Sequence, residues 1–156
     1  MKSLVVFFSR YGNTQKIAEV IAETLGSAGP VHAMGMDQLD VSELTGVDLV
    51  VAGTPTHRMN LPEAVRPAFE TLPRRVLRDT PVAAFDTAYK MSAWLARFTA
   101  ARRLLRKLRK LGGKRIVPPE TFHVMEREGP LYEGEIDRAR EWARLVLEQL
   151  DNQGER

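Results

Sequence analysis

The stretch Ser3-Leu4-Val5-Val6-Phe7-Phe8-Ser9-Arg10-Tyr11-Gly12-Asn13-Thr14 decides how this chain folds. After Ser3 it opens with a continuous β-branched and aromatic run, the pattern of a strand buried on both faces. A short polar loop follows, and then Ile17, Val20, Ile21 and Leu25 recur at helical spacing up to Gly26. A buried strand, a tight polar loop and a helix form the first half of a βαβ unit.

The rest of the chain repeats that alternation. Pro30 to Met34 is a weak second strand and Val47 to Gly53 a strong third. Asn60-Leu61-Pro62-Glu63 reads as a helix entry, with Asn60 as cap and Pro62 in the first turn, and the helix is expected to run to Leu72. Pro81 to Phe85 is a fourth strand. Residues 92–111 read as one long amphipathic helix ended by Gly112-Gly113, with Trp94, Leu95, Phe98, Ala101, Leu105 and Leu108 turned to the core. A fifth strand begins at Arg115-Ile116-Val117, is interrupted by Pro118-Pro119 and resumes over Thr121 to Val124. The last helix is expected over 133–150, with Ile136, Ala139, Trp142, Ala143, Val146 and Leu150 inward. Residues 151–156 are polar and read as a frayed tail.

Alternating strands and helices imply the α/β class, with a parallel sheet covered on both faces. The 156 residues suit one domain, spanning 1–150. In such sheets ligands bind beyond the carboxyl ends of the strands. The segments after Phe8, Gly53 and Phe85 are therefore the places to look for function.

Composition removes several classes. With no cysteine there is no disulfide framework, thiolate metal site or cysteine nucleophile. Three scattered histidines show no metal-ligand spacing. The longest early apolar run is too short for a secretory signal or a membrane span, so a cytoplasmic protein is expected. The net charge is only +3, but its distribution is uneven. Ten basic residues and no acidic one lie between Thr87 and Pro119, while the remaining 13 basic and 20 acidic residues leave a net −7 elsewhere. Within residues 97–115 this charge reads as a solvated helix face, as a docking face for an acidic redox partner, or as a contact for nucleic acid or an anionic membrane surface. No aromatic interleaving on the polar face supports nucleic acid, which is not expected as a partner.

The first loop, Ser9-Arg10-Tyr11-Gly12-Asn13-Thr14, has the chemistry of a phosphate cradle. Ser9 and Thr14 carry hydroxyl donors, Gly12 permits close approach, and the helix start supplies free N–H groups with a partial positive charge. A helix cap at Asn13 or Thr14 accounts for two of the same residues. The loop is neither the nucleoside-triphosphate pattern nor the dinucleotide fingerprint. The other two loops are Gly53-Thr54-Pro55-Thr56-His57-Arg58-Met59-Asn60 and Asp86-Thr87-Ala88-Tyr89-Lys90-Met91. Both are polar and carry planar side chains, which suits a flat ring attached to a phosphate. A receiver domain would need acidic residues after the first strand and an Asp after the third; these places hold Ser9-Arg10 and Thr54-Pro55.

The three loops, in this order and spacing, resemble those of the flavodoxins, and the resemblance covers nearly the whole chain. It implies a flavodoxin-like three-layer α/β/α sandwich around a five-stranded parallel sheet of order 2-1-3-4-5, the order for which flavodoxin is the standing example. It implies FMN as cofactor, with Ser9, Arg10, Tyr11, Gly12, Asn13 and Thr14 at the phosphate. Residues 54–60, among them Thr54, Pro55, Thr56, His57 and Arg58, would border one side of the flavin ring. Residues 86–91 would border the other, with Asp86, Thr87, Ala88 and Lys90 beside it and Tyr89 stacking. The implied role is electron transfer with no catalytic side chain and no metal. The alternative is a small FMN-dependent oxidoreductase of the quinone reductase or protoporphyrinogen oxidase kind. Three departures stand out: Tyr11 in a common Thr position, His57 or Met59 in place of a tryptophan, and Lys90 in the third loop. A cation there favours anionic reduced flavin and raises the potential.

Overall fold

A computed structural model describes residues 1–156. Its strands are β1 (Ser3–Phe7), β2 (Val31–Gly35), β3 (Leu49–Pro55), β4 (Pro81–Tyr89), β5 (Lys114–Arg115) and β6 (Glu120–Val124). Its α-helices are α1 (Asn13–Leu25), α2 (Arg66–Glu70), α3 (Ala93–Ala96), α4 (Ala100–Lys110) and α5 (Glu135–Gly154). The sheet is parallel throughout, in the order β2-β1-β3-β4-β5, and β6 also pairs with β4. Thus β5 and β6 are two pieces of one fifth position. Pro118 and Pro119 lie between them and supply no N–H for the ladder. The expected strand order holds.

Side-chain alternation along the three central strands divides the core in two. Leu4, Val6, Val50, Ala52, Val82 and Ala84 face one way, against Phe69, Leu104, Leu105 and Leu108 of α2 and α4. Val5, Leu49, Val51, Ala83 and Phe85 face the other way, against Ile17, Ile21, Trp142 and Val146 of α1 and α5. These are the outer two layers of the three-layer sandwich. Phe85 anchors the second cluster by edge-on contacts with Phe122 and Trp142, at centroid distances of 5.9 and 6.0 Å.

Four expectations are corrected. The helix expected from Asn60 to Leu72 shrinks to a 3₁₀ turn at Glu63–Val65 and the five-residue α2. The Asn60 side chain accepts from the adjacent Leu61 N–H instead of capping a helix, Pro62 is extended, and Pro73 blocks continuation. The long helix expected over 92–111 is broken into α3 and α4, and Trp94, Leu95 and Phe98 are exposed rather than buried. The break has a tertiary cause. The first N–H groups of α4 are capped from the sheet, Ala100 N–H donating to Thr56 Oγ1 at 2.9 Å and Ala101 N–H to Asp86 Oδ2 at 3.3 Å. Strand β4 continues to Tyr89 instead of ending at Phe85, because β6 pairs with it from Phe85 to Tyr89. Finally, α5 runs to Gly154, so residues 151–154 are helical although exposed.

Candidate functional site

The carboxyl ends of β1, β3 and β4 open on one cleft of about 280 Å³, near the lower end for small-molecule sites. It is built by the three loops singled out above, together with the start of α1 and the turn after β6.

The loop after β1 is organised by Ser9. Its Oγ accepts from Gly12 N–H at 3.1 Å and Gln15 N–H at 3.3 Å, which leaves its own proton free to donate. Gly12 stands at the helix N-cap with φ +92°, a conformation that a Cβ would strain; it has no side chain to cap with, and Ser9 Oγ takes the Gln15 N–H in its place. The cap assignment for Asn13 or Thr14 therefore fails. Asn13 Nδ2 instead donates to the Glu128 carbonyl at 3.1 Å, tying the loop to the turn after β6. Thr14 Oγ1 shares a 2.8 Å hydrogen bond with Thr87 Oγ1 of β4. One of those two hydroxyl protons is used between them and the other remains available. The backbone N–H groups of Arg10, Tyr11, Asn13 and Thr14 have no hydrogen-bond partner within the protein. Converging free N–H groups, a spare Ser9 proton and a helix start make an anion cradle.

Of the residues expected here, Ser9, Arg10, Tyr11, Asn13, Thr14, Pro55, Thr56, His57, Arg58, Thr87, Ala88 and Tyr89 line the cleft. Gly12 contributes backbone only. Thr54 is fully buried, with its hydroxyl turned to the Pro55 carbonyl. Lys90 lies with Nζ 4.0 Å from the Tyr132 ring centroid and is not part of the lining.

Asp86 also lies outside the cleft wall. Its Oδ2 accepts from Thr56 Oγ1 at 2.5 Å and from Ala101 N–H, while its Oδ1 has no partner. It is a buried strut beneath the floor, holding Thr56 and the start of α4 in place. Burial pushes its carboxyl above the usual range, against the opposing hydrogen bonds from Thr56 and Ala101. A folded-state pKa above the unfolded one means that the folded protein holds the proton longer. Stability is then highest below the unfolded carboxyl pKa and falls as pH rises through the raised value. The variant Asp86→Asn keeps an acceptor for Thr56 and Ala101 and is expected to remove that fall. Chemical denaturation of both proteins across the acid range checks this; parallel pH profiles would contradict it.

The second loop is a two-residue turn. His57 and Asn60 exchange backbone hydrogen bonds of 2.8 and 2.9 Å, and Arg58 and Met59 carry positive φ values of 49° and 60°. Such turns ordinarily use Asn and Gly, so Arg58 and Met59 sit there at a local cost. The strain places both side chains in the cleft wall.

Pro62, Met91, Val124 and Arg127 also line the cleft. Val124 and Pro62 lay inside a strand and a helix entry in the sequence and carried no site signal. Arg127 belongs to the stretch Glu126-Arg127-Glu128-Gly129-Pro130-Leu131, which reads as an exposed turn or as a cover for the ring edge from the far side; its guanidinium lies 6.0 Å from the Tyr11 ring centroid. The lining holds Arg10, Arg58 and Arg127 and no carboxylate, so the cleft is electropositive. Tyr11 and Tyr89 are 41% and 49% exposed and leave two aromatic faces for a planar ligand to cover. This donor set, the free N–H groups at one end and the aromatic and methionine walls at the other, fits a flavin mononucleotide.

Known proteins share this fold. The flavodoxin family model matches residues 5–145. A flavodoxin from the domain Archaea is 17% identical, with a TM-score of 0.74 over 97% of this chain and 99% of its own. Flavodoxin 2 from Bacillus cereus is 20% identical, with a TM-score of 0.75 over 96% of this chain and 99% of its own. A rubredoxin oxygen:oxidoreductase from Desulfovibrio gigas matches 97% of this chain with 36% of its length, at 17% identity and a TM-score of 0.75. With the family match spanning nearly the whole fold, the chain belongs to the flavodoxin family.

Proposed function

We propose that this protein binds FMN in the cleft and carries electrons between redox partners. The observation that carries the reading is the unsatisfied anion cradle of Arg10, Tyr11, Asn13 and Thr14 N–H groups at one end of a cleft walled by Tyr11, Tyr89, Met59 and Met91. Bound there, the flavin would supply the capacity to take up and release electrons. The protein's own residues would bind and tune it. Ser9 and Thr14 hydroxyls and the α1 N-terminus hold the phosphate. The 57–60 turn and the end of β4 shape the ring site. Arg10, Arg58 and Arg127 favour added negative charge and raise the potential.

Two measurements test this. Replacing Tyr89, half exposed on the cleft wall, with Ala is expected to change flavin fluorescence and midpoint potential while altering FMN affinity by less than about fivefold, since the phosphate contacts remain. Unchanged fluorescence and potential would contradict the stacking role. For carrier against enzyme, the FMN-loaded protein is expected to relay electrons from a flavodoxin reductase to cytochrome c. Sustained turnover of a quinone or a porphyrinogen without a partner protein would favour the oxidoreductase reading instead.

A further inference from the structure

The break between α3 and α4 leaves an unusual surface. Trp94 is 62% exposed, Leu95 42% and Phe98 44%. Trp94 and Phe98 meet edge to face with centroids 5.4 Å apart, so the apolar groups form one patch rather than scattered side chains. The patch follows directly on Met91, which lines the cleft.

Cations follow it along the chain. Arg97 lies within the patch segment, and α4 continues with Arg102, Arg103, Arg106, Lys107, Arg109 and Lys110. None of these seven side chains forms an ion pair, whereas Arg138 and Arg140 of α5 and Arg66 of α2 do. A surface hollow beside α4 is lined by Arg102, Arg106, Arg109, Lys110 and Arg115 without a carboxylate. The 11 residues of α4 span about 16 Å, so the charge is spread along a broad band. The rest of the chain carries net negative charge.

We propose that this face docks on an anionic lipid bilayer, with Trp94, Leu95 and Phe98 entering the headgroup boundary and the α4 cations lying over the phosphates. Both ingredients of the surface find a counterpart there. Anionic headgroups form a continuous sheet that meets a broad band of cations without a fixed constellation of carboxylates, and the apolar layer beneath receives the exposed aromatic cluster. An acidic protein face matches the cations but needs its own hydrophobic pocket for Trp94 and Phe98. The net negative remainder is repelled, which favours contact through this face. The proposal concerns the surface alone and does not depend on the flavin reading.

The test uses the full chain, with and without FMN, and vesicles of phosphatidylcholine alone or mixed with phosphatidylglycerol. Co-sedimentation is expected to rise about tenfold or more when phosphatidylglycerol is present and to be largely lost in about 1 M salt, where the Debye length is about 3 Å. Trp142 is 5% exposed in the core and Trp94 is open, so a blue shift of tryptophan emission on binding reports Trp94. The exposed pair of changes Trp94→Ser and Phe98→Ser is expected to abolish the shift and to cut binding about tenfold, with unchanged thermal stability. Absence of sedimentation with either vesicle at low salt overturns the proposal. So does binding that survives the double change without a blue shift. Tighter capture by poly-L-glutamate than by phosphatidylglycerol vesicles would reassign the face to an acidic protein.

Discussion

Exchanging both Ser9 and Thr14 for alanine is expected to weaken FMN binding about 100-fold or more, while riboflavin affinity changes less than about threefold. The asymmetry follows from the positions of the two hydroxyls. Ser9 Oγ holds the loop by accepting from Gly12 and Gln15 and keeps its own proton for an anion. Thr14 Oγ1 shares one proton with Thr87 Oγ1 and leaves the other unused. A hydrogen bond to a charged group contributes about 1.5–3 kcal/mol, so two of them account for a loss of this order. Riboflavin has the ring but lacks the phosphate. Fluorescence titration with both flavins reads the two affinities side by side. Equal losses would mean that the loop does not hold the phosphate.

The largest expected effect on stability comes from Gly53→Ala. A Cβ at Gly53 would stand 2.0 Å from Phe85 Cζ and 2.4 Å from both Cε atoms. The ring has nowhere to retreat, since Phe85 is fully buried and wedged against Phe122 and Trp142. Overpacking of this kind costs about 3 kcal/mol. For a chain of this size that lowers Tm by roughly 10 °C. Adding Phe85→Leu to Gly53→Ala is expected to recover part of the loss by making room, although Phe85→Leu alone destabilises. Thermal melts of the three variants check this. A double variant less stable than Gly53→Ala would show that the ring is not the obstacle.

The sequence made the central strands legible because β1, β3 and β4 are buried on both faces and read as unbroken apolar runs. The split fifth strand was equally visible, since two adjacent prolines leave no other arrangement. The long helix misled because its periodicity is real but incomplete. Ala101, Leu105 and Leu108 are buried as the pattern requires, whereas Trp94, Leu95 and Phe98 continue the pattern and point to solvent. What interrupts the helix is the capping of α4 by Thr56 and Asp86, contacts made across 44 and 15 positions of sequence that no local window contains. The same contacts explain Asp86. A carboxylate after a strand resembles a site residue, but its partners turn it beneath the floor. Arg127 and Val124 reach the cleft only because β6 pairs with β4 far from its own neighbours in sequence.

The central claim is that the cleft is an FMN site. The direct measurement is a titration of flavin-free protein with FMN and with riboflavin, followed by the visible absorption of the bound ring. The account predicts saturable binding with FMN clearly preferred, and a perturbed flavin spectrum as the ring meets Tyr89. A protein that leaves the FMN spectrum unchanged, or that binds riboflavin as well as FMN, would contradict it.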